Sequence, residues 1–271
     1  MRILVTNDDG YSAPGVHALA HALSSHDVRV VAPQNQKSAC SQSITIRGGL
    51  SVSKTEFLHT WAIDDGYPAD CVKLSLSGVV FDDDWMPELV LSGINQGMNT
   101  GNIVYCSGTV GAAREASFHR IPAIAFSMDS FRISNFDRAA HIAKAIVDLV
   151  GEHKMPDFCF LNVNIPCESE PGGEDALGVL RKGGPIVGIR KSRLGTSCVV
   201  DQSIRQQDGD IKLQAKLLYD SDAQEKQDDA IDLSLGYVTV VAISERNMSM
   251  AERYLNQLFE GQVEIGGLKV L

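Results

Sequence analysis

An α/β architecture on a mostly parallel sheet is what this sequence predicts, and two observations carry the prediction. Along the first 165 residues, short apolar runs alternate with amphipathic segments, the order expected when each strand is followed by a helix that covers the sheet. Several of these runs are apolar without polar interruption, as strands buried on both faces are. The chain of 271 residues suits one large domain or two small ones. A single layered domain of that size buries roughly three-quarters of the surface its unfolded chain exposes.

The elements follow in order. Residues 2–6 read as a strand. Residues 16–24 place Val16, Leu19, Ala20 and Leu23 at helical spacing. Residues 28–32 are strand-like and stop at Pro33, residues 68–77 are helical, and 89–92 form a short buried strand. A helix over 109–118, a strand over 123–127, a helix over 136–150 and a strand over 158–164 complete the alternation. Right-handed crossovers leave few topologies for such a series.

From about Pro166 the texture changes, with Pro171-Gly172-Gly173 and Lys182-Gly183-Gly184-Pro185 as punctuation. Residues 186–190 and 211–219 read as strands of extended hairpins, with Asp208-Gly209-Asp210 as a turn. Residues 237–243 return to the main sheet, and 248–260 form a closing helix. The expected organisation is one domain over 1–271. It divides into an α/β core over 1–165, an extended hairpin arm over 166–235 that packs on another subunit, and a C-terminal strand and helix over 236–271.

Composition excludes several functions. A net charge of -10 with a pI of about 5.1 lacks the basic face a duplex-binding protein needs. Apolar stretches fall far short of the ~18 residues that suggest a membrane span, and the first residues carry no signal-peptide pattern. The six cysteines, Cys40, Cys71, Cys106, Cys159, Cys167 and Cys198, form no C-x-x-C pair and read as buried small apolar residues of a cytoplasmic protein. An acidic protein that handles an anion needs local help, from a cation or from backbone N–H groups.

Ligands of open α/β sheets bind beyond the carboxyl ends of the strands, and three loops at such ends stand out. The first reads Asn7-Asp8-Asp9-Gly10-Tyr11-Ser12-Ala13-Pro14-Gly15, with paired carboxylates where a dinucleotide enzyme would carry G-x-G-x-x-G. Adjacent acids repel unless a cation or a proton relieves them. The plainer alternative is that one acid caps the next helix and the other is solvated. The second loop runs from Gly93-Ile94-Asn95-Gln96-Gly97-Met98-Asn99 through Ser107-Gly108-Thr109-Val110-Gly111 into a helix. Its Ser107, Gly108 and Thr109 amides at a helix N-terminus suit phosphate, although a capping hydroxyl on a glycine-rich turn would leave the same pattern. The third loop, over 33–45, offers hydroxyls and Lys37. Together the loops supply carboxylates, an amide oxygen and hydroxyls, a hard set that favours Mg²⁺ or Mn²⁺ over zinc. A hard cation beside a phosphate cradle implies metal-assisted phosphoryl chemistry.

Two other readings use the same acids. A phosphatase with a phospho-aspartate intermediate usually carries D-x-D at the strand end, where this chain has Asn7 before Asp8-Asp9. A receiver-like signalling module needs a phospho-accepting Asp after a later strand and a Lys after the last, and neither is found. A nucleotide binder without turnover is the third alternative.

Thr6-Asn7-Asp8-Asp9-Gly10-Tyr11, Ala32-Pro33 with Ser38, Pro68-Ala69-Asp70-Cys71-Val72, Ser92-Gly93-Ile94-Asn95 with Gly97 and Asn99, Ser107-Gly108-Thr109-Val110-Gly111-Ala112-Ala113 and Leu161-Asn162-Val163-Asn164-Ile165-Pro166 resemble, in order, the motifs of the SurE family of survival-protein nucleotidases. Downstream the resemblance thins to Asp229 and Gly236-Tyr237-Val238. It implies a three-layer α/β/α, Rossmann-like fold, one divalent metal ion, hydrolysis of nucleoside 5′- or 3′-monophosphates, and a homodimer or homotetramer joined through C-terminal arms. Carried over by position, Asp8, Asp9, Ser38 and Asn95 are the metal ligands. Asp8, Asp9 and Asn95 are the catalytic residues, and Ser107, Gly108 and Thr109 hold the phosphate with Asn99 nearby. Ala39, Cys40, Tyr67, Cys106 and Val241-Ala242-Ile243 depart from the family's usual residues, and none of them is a proposed ligand.

Overall fold

The computed structural model describes residues 1–81, 83–129, 135–168, 184–196, 198–205, 211–218 and 228–271. Its first strands and helices are β1 (Arg2–Thr6), α1 (Pro14–Ala22), β2 (Asp27–Pro33), β3 (Ser51–Lys54), β4 (Thr60–Asp64), α2 (Pro68–Leu76) and β5 (Leu89–Gln96). A 3-10 turn over Gly101–Tyr105 leads into α3 (Gly108–Phe118), followed by β6 (Ala123–Met128), α4 (Asp137–Gly151) and β7 (Cys159–Ile165). The remainder comprises β8 (Gly188–Lys191), β9 (Cys198–Arg205), β10 (Ile211–Leu218), α5 (Asp229–Ser234), β11 (Tyr237–Ser244), α6 (Met248–Leu258), β12 (Glu264–Ile265) and β13 (Leu268–Lys269).

Nine strands form the central sheet in the order β3-β4-β2-β1-β5-β6-β7-β11-β8. All neighbours are parallel except β3 with β4 and β7 with β11. The layers follow from alternation along the buried strands. Ile3 and Val5 enter one core with residues of α1, α4 and α6, whereas Leu4 enters the opposite core with residues of α2 and α3. Sequence and structure therefore agree on a three-layer, mostly parallel α/β protein. Pro14 opens α1, where its missing N–H costs nothing. α4 buries Ile142, Ala143, Ile146, Val147 and Val150 at helical spacing. Fully buried side chains such as Phe126 and Phe160 each contribute roughly 1.5–3 kcal/mol.

Three differences from expectation have local causes. The strand expected at 89–92 continues to Gln96, because Gly93 takes φ +135° and passes so close to β6 that a Cβ there would lie 2.3 Å from the Phe126 carbonyl oxygen. The register against β6 shifts between Ser92 and Asn95 as a result. The segment expected as a hairpin strand over 186–190 is instead β8, at the edge of the main sheet and parallel to β11. The second hairpin strand is found where expected, as β10 paired antiparallel with β9, and its turn at 208–210 lies outside the described residues. β11 joins the sheet as anticipated, whereas β3, β4 and α5 have no counterpart in the sequence reading. At the base of the β9–β10 excursion, Arg193 bridges Asp228 in parallel, and the Asp229 N–H donates to the Arg193 carbonyl at 3.0 Å.

Candidate active site

The site is assembled at the carboxyl end of β1. Asn7, fully buried, closes the turn after the strand: its Nδ2 donates to the Gly10 carbonyl at 2.9 Å and its Oδ1 accepts the Gly10 N–H at 3.2 Å. Gly10 takes φ +104° beside the backbone of Pro33 and Gln34, and the Tyr11 N–H donates to the Pro33 carbonyl at 2.9 Å. The loop after β2 is tied in at two points. The Lys37 N–H donates to the Asp8 carbonyl at 2.7 Å, and the Ser41 N–H donates to the Cys106 carbonyl at 2.8 Å. Ser38, next to Lys37, is exposed on this rim.

Asp8 is 3% exposed, and its Oδ1 accepts the Thr109 hydroxyl at 2.5 Å. Burial pushes its carboxyl up to about 6; the Thr109 hydroxyl opposes that rise and the Asp9 charge adds to it. Asp9 is also raised by burial, offset by the Gln96 N–H, which donates to its Oδ2 at 3.2 Å. Two adjacent, poorly hydrated acids thus lie close enough for the charge of Asp9 to raise Asp8, a repulsion that a divalent cation would relieve. Asn95, 9% exposed, donates through Nδ2 to the Gly97 carbonyl at 2.7 Å, which leaves its amide oxygen outside that bond. No group of three or more His, Cys, Asp or Glu side chains converges among the described residues. The donors available at the rim are thus two carboxylates, an amide oxygen and a hydroxyl, a set whose chemistry fits Mg²⁺ or Mn²⁺.

α3 aims its N-terminus at Asp8. Ser107 caps it, its Oγ accepting the Val110 N–H at 3.1 Å. Gly108 lies so close to the rim that a Cβ would fall 2.6 Å from Cys40 Sγ and 2.8 Å from Asp8 Cβ. The three amides expected to cradle phosphate differ in their commitments. That of Ser107 donates to the Ile103 carbonyl at 3.1 Å, that of Thr109 meets the Asp8 carboxylate, and that of Gly108 donates to no described residue. Asn99, 3% exposed, is held by Ser127, Asn162 and Asn164.

The structure thus brings Asp8, Asp9, Asn95 and Ser107–Thr109 together, with Ser38 on an adjoining loop. Sequence reasoning assigned no role to Ser127, Asn162 or Asn164, although asparagines two apart inside an otherwise apolar strand were a usable signal. Nor did it see that the fully buried Asp229 accepts the N–H groups of Gly101, at 3.2 Å, and Gly195, at 2.9 Å. The expectation of buried cysteines holds for Cys71, Cys159 and Cys167 but not for Cys106, which is exposed, or Cys40, which is half-buried. Both lie on the rim loops, outside the packed layers. The Cys198 side chain is outside the described residues.

A family model described as Survival protein SurE matches residues 3–183. The chain belongs to the SurE family. Over 173 residues it is 43% identical to a 5'-nucleotidase SurE from Trichormus variabilis, a match covering 61% of this chain and 64% of that protein, just under two thirds of its length. A 5'-nucleotidase SurE from Legionella pneumophila is 39% identical over 209 residues, covering 77% of this chain and 76% of the relative. Among solved structures, the SurE protein of Aquifex aeolicus superimposes with a TM-score of 0.74 at 30% identity, covering 95% of this chain and 99% of the other. The SurE fold thus extends well past the stretch in which the sequence motifs are dense.

Proposed function

We propose that this SurE-family chain is a divalent-metal-dependent phosphomonoesterase that releases phosphate from nucleoside 5′- and 3′-monophosphates. The observation that carries the reading is the contact between the two halves of the site. The Asp8–Asp9 pair that would hold a cation is bonded, through Thr109, to the helix N-terminus that would receive an anion. Asp8, Asp9, Asn95 and Ser38 are the residues that would hold the metal. When bound, a divalent cation supplies a Lewis acid that draws charge from a phosphoryl oxygen and acidifies water.

The chain's own groups do the rest. The Gly108 amide and the positive end of α3 bind and orient the equatorial phosphate oxygens. Asn99 supplies an amide donor beside them. One of the two carboxylates, Asp8 or Asp9, takes the proton of the attacking water. The Thr109 hydroxyl keeps the Asp8 carboxylate in one orientation. The same reading has the chain act in the cytoplasm as a homodimer or homotetramer joined through the β9–β10 hairpin; no described helix is long and apolar enough to cross a membrane.

Initial rates on nucleoside monophosphates, p-nitrophenyl phosphate and polyphosphate, measured after chelation and again with Mg²⁺ or Mn²⁺ restored, test the proposal. Hydrolysis is expected to vanish with the metal and return with it. Full activity in chelator, or radiolabelled phosphate trapped covalently on the protein, would overturn it.

A further inference from the structure

The loop that carries Asn99 is gripped from beneath by side chains outside the proposed ligand set. Cross-strand neighbours in a sheet project to the same face. The registers Asn95↔Ser127, Ser127↔Asn164 and Asn164↔Thr239 therefore lay a polar row across β5, β6, β7 and β11, starting at a proposed metal ligand.

Asn164 holds the Asn99 backbone at both ends. Its Oδ1 accepts the Asn99 N–H at 2.7 Å, and its Nδ2 donates to the Asn99 carbonyl at 3.1 Å. Asn162 Nδ2 donates to the same carbonyl at 2.7 Å. The side chain is held as well: Asn99 Nδ2 donates to Ser127 Oγ at 2.8 Å. Ser127, Asn162 and Asn164 are all fully buried. Placing two carboxamides in a strand covered on both faces carries a desolvation cost that these bonds offset in part, the buried Asn162 Oδ1 having no partner among the described residues. Aliphatic residues would have filled the layer without it. The cost goes to fixing one loop residue in backbone and in rotamer. An amide NH₂ carries two donors, so with one given to Ser127 the other remains for an anion.

We propose that Asn164, assisted by Asn162 and Ser127, is a positioning residue that sets the Asn99 amide against the phosphate group of the substrate. The inference rests on the reading above, in which Asn99 meets phosphate.

Asn164→Asp is nearly isosteric; it keeps the acceptor for the Asn99 N–H but replaces the donor to the Asn99 carbonyl with an oxygen. With p-nitrophenyl phosphate as probe, KM and the Ki of inorganic phosphate should rise together by about tenfold, the loss of roughly one hydrogen bond, while kcat moves much less. Because the effect passes through Asn99, adding Asn164→Asp to Asn99→Ala should raise neither constant further. Ser127→Ala, which frees the Asn99 side chain but leaves its backbone held, should reproduce a smaller rise and serves if Asn164→Asp does not fold. Additive losses in the double variant, or a lower melting temperature with KM and Ki unchanged, would show that the asparagines only stabilise the loop. If the unsubstituted chain hydrolyses no phosphomonoester, the proposed function fails. The same cycle, read by calorimetry of inorganic phosphate binding in Mg²⁺, then decides this inference on its own.

Discussion

Asp-Asp recurs along the chain, at 64–65 and within 82–84 as well as at 8–9 and 228–229, and the pairs at 8–9 and 228–229 have different fates. At 228–229 both acids serve the backbone. Asp228 caps α5, accepting the Ala230 and Ile231 N–H groups at 2.9 and 3.2 Å, and Asp229 accepts N–H groups from two separate loops. At 8–9 neither acid caps the next helix: the N-cap of α1 is Ala13, with no side-chain cap. Asp8 instead meets the hydroxyl and the amide of Thr109, and Asp9 meets the Gln96 amide and the Gln36 side chain. Burial raises the acids in both places, Asp8 to about 6 and Asp229 to about 7. A raised carboxyl is thus common to both regions and identifies neither as catalytic. The distinguishing feature is place: the pair at 8–9 follows a parallel strand and meets the N-terminus of α3, whereas the pair at 228–229 opens α5.

The largest expected effect tests that distinction directly. Asp8→Asn keeps an acceptor for the Thr109 hydroxyl but removes the charge, and kcat should fall about 10²–10³-fold. Melting temperature without metal at pH 8 should not fall, because a buried charge has been removed. Retained activity in metal would place the 8–9 pair with the structural acids. Gly108→Ala comes next. Its Cβ would crowd Cys40 and Asp8, and Asp8 sits on a strand end that cannot give easily, so overpacking should cost about 1–3 kcal/mol of stability. Activity should drop even at temperatures where the variant is folded, read by melting curves beside initial rates. The smallest effect belongs to Asp229→Asn. In the native chain this carboxyl rises from 3.8 to about 7, so the folded state holds a proton that the unfolded state releases. Its contribution to stability is full below pH 4, is lost as pH climbs towards 7, and changes no further above that. Asn cannot titrate, and the variant's denaturation midpoint should lose that part of the slope. An unaltered slope would assign the titration to another group.

Much of this was legible in the chain itself. The runs at β1, β2, β6 and β7 and the stripe of α4 state their structure through periodicity, and the Asn7-Asp8-Asp9 and Ser107-Gly108-Thr109 loops show their residue types openly. Less was legible where the determinant is remote. Gly93 reads as a loop residue, and only the closeness of Phe126 reveals a strand that continues past it. β8 joins β11 in parallel, a pairing that no hairpin-length pattern encodes. β3 is four exposed residues paired with β4 at the edge of the sheet. The grip on Asn99 comes from Asn164, sixty-five residues away in sequence. The Asp-Asp pairs at 8–9 and 228–229 show the same letters in the sequence, and only the structure around each separates them.

The contact between Arg193 and Asp228 works as a clasp. The two ends of the stretch between those residues are joined at one point, so its length need not alter the geometry of the sheet. Doubling such a stretch adds only about 0.6 kcal/mol of closure entropy. Changes of length are therefore best absorbed away from β9, which packs on the 3-10 turn Gly101–Tyr105 that leads into α3.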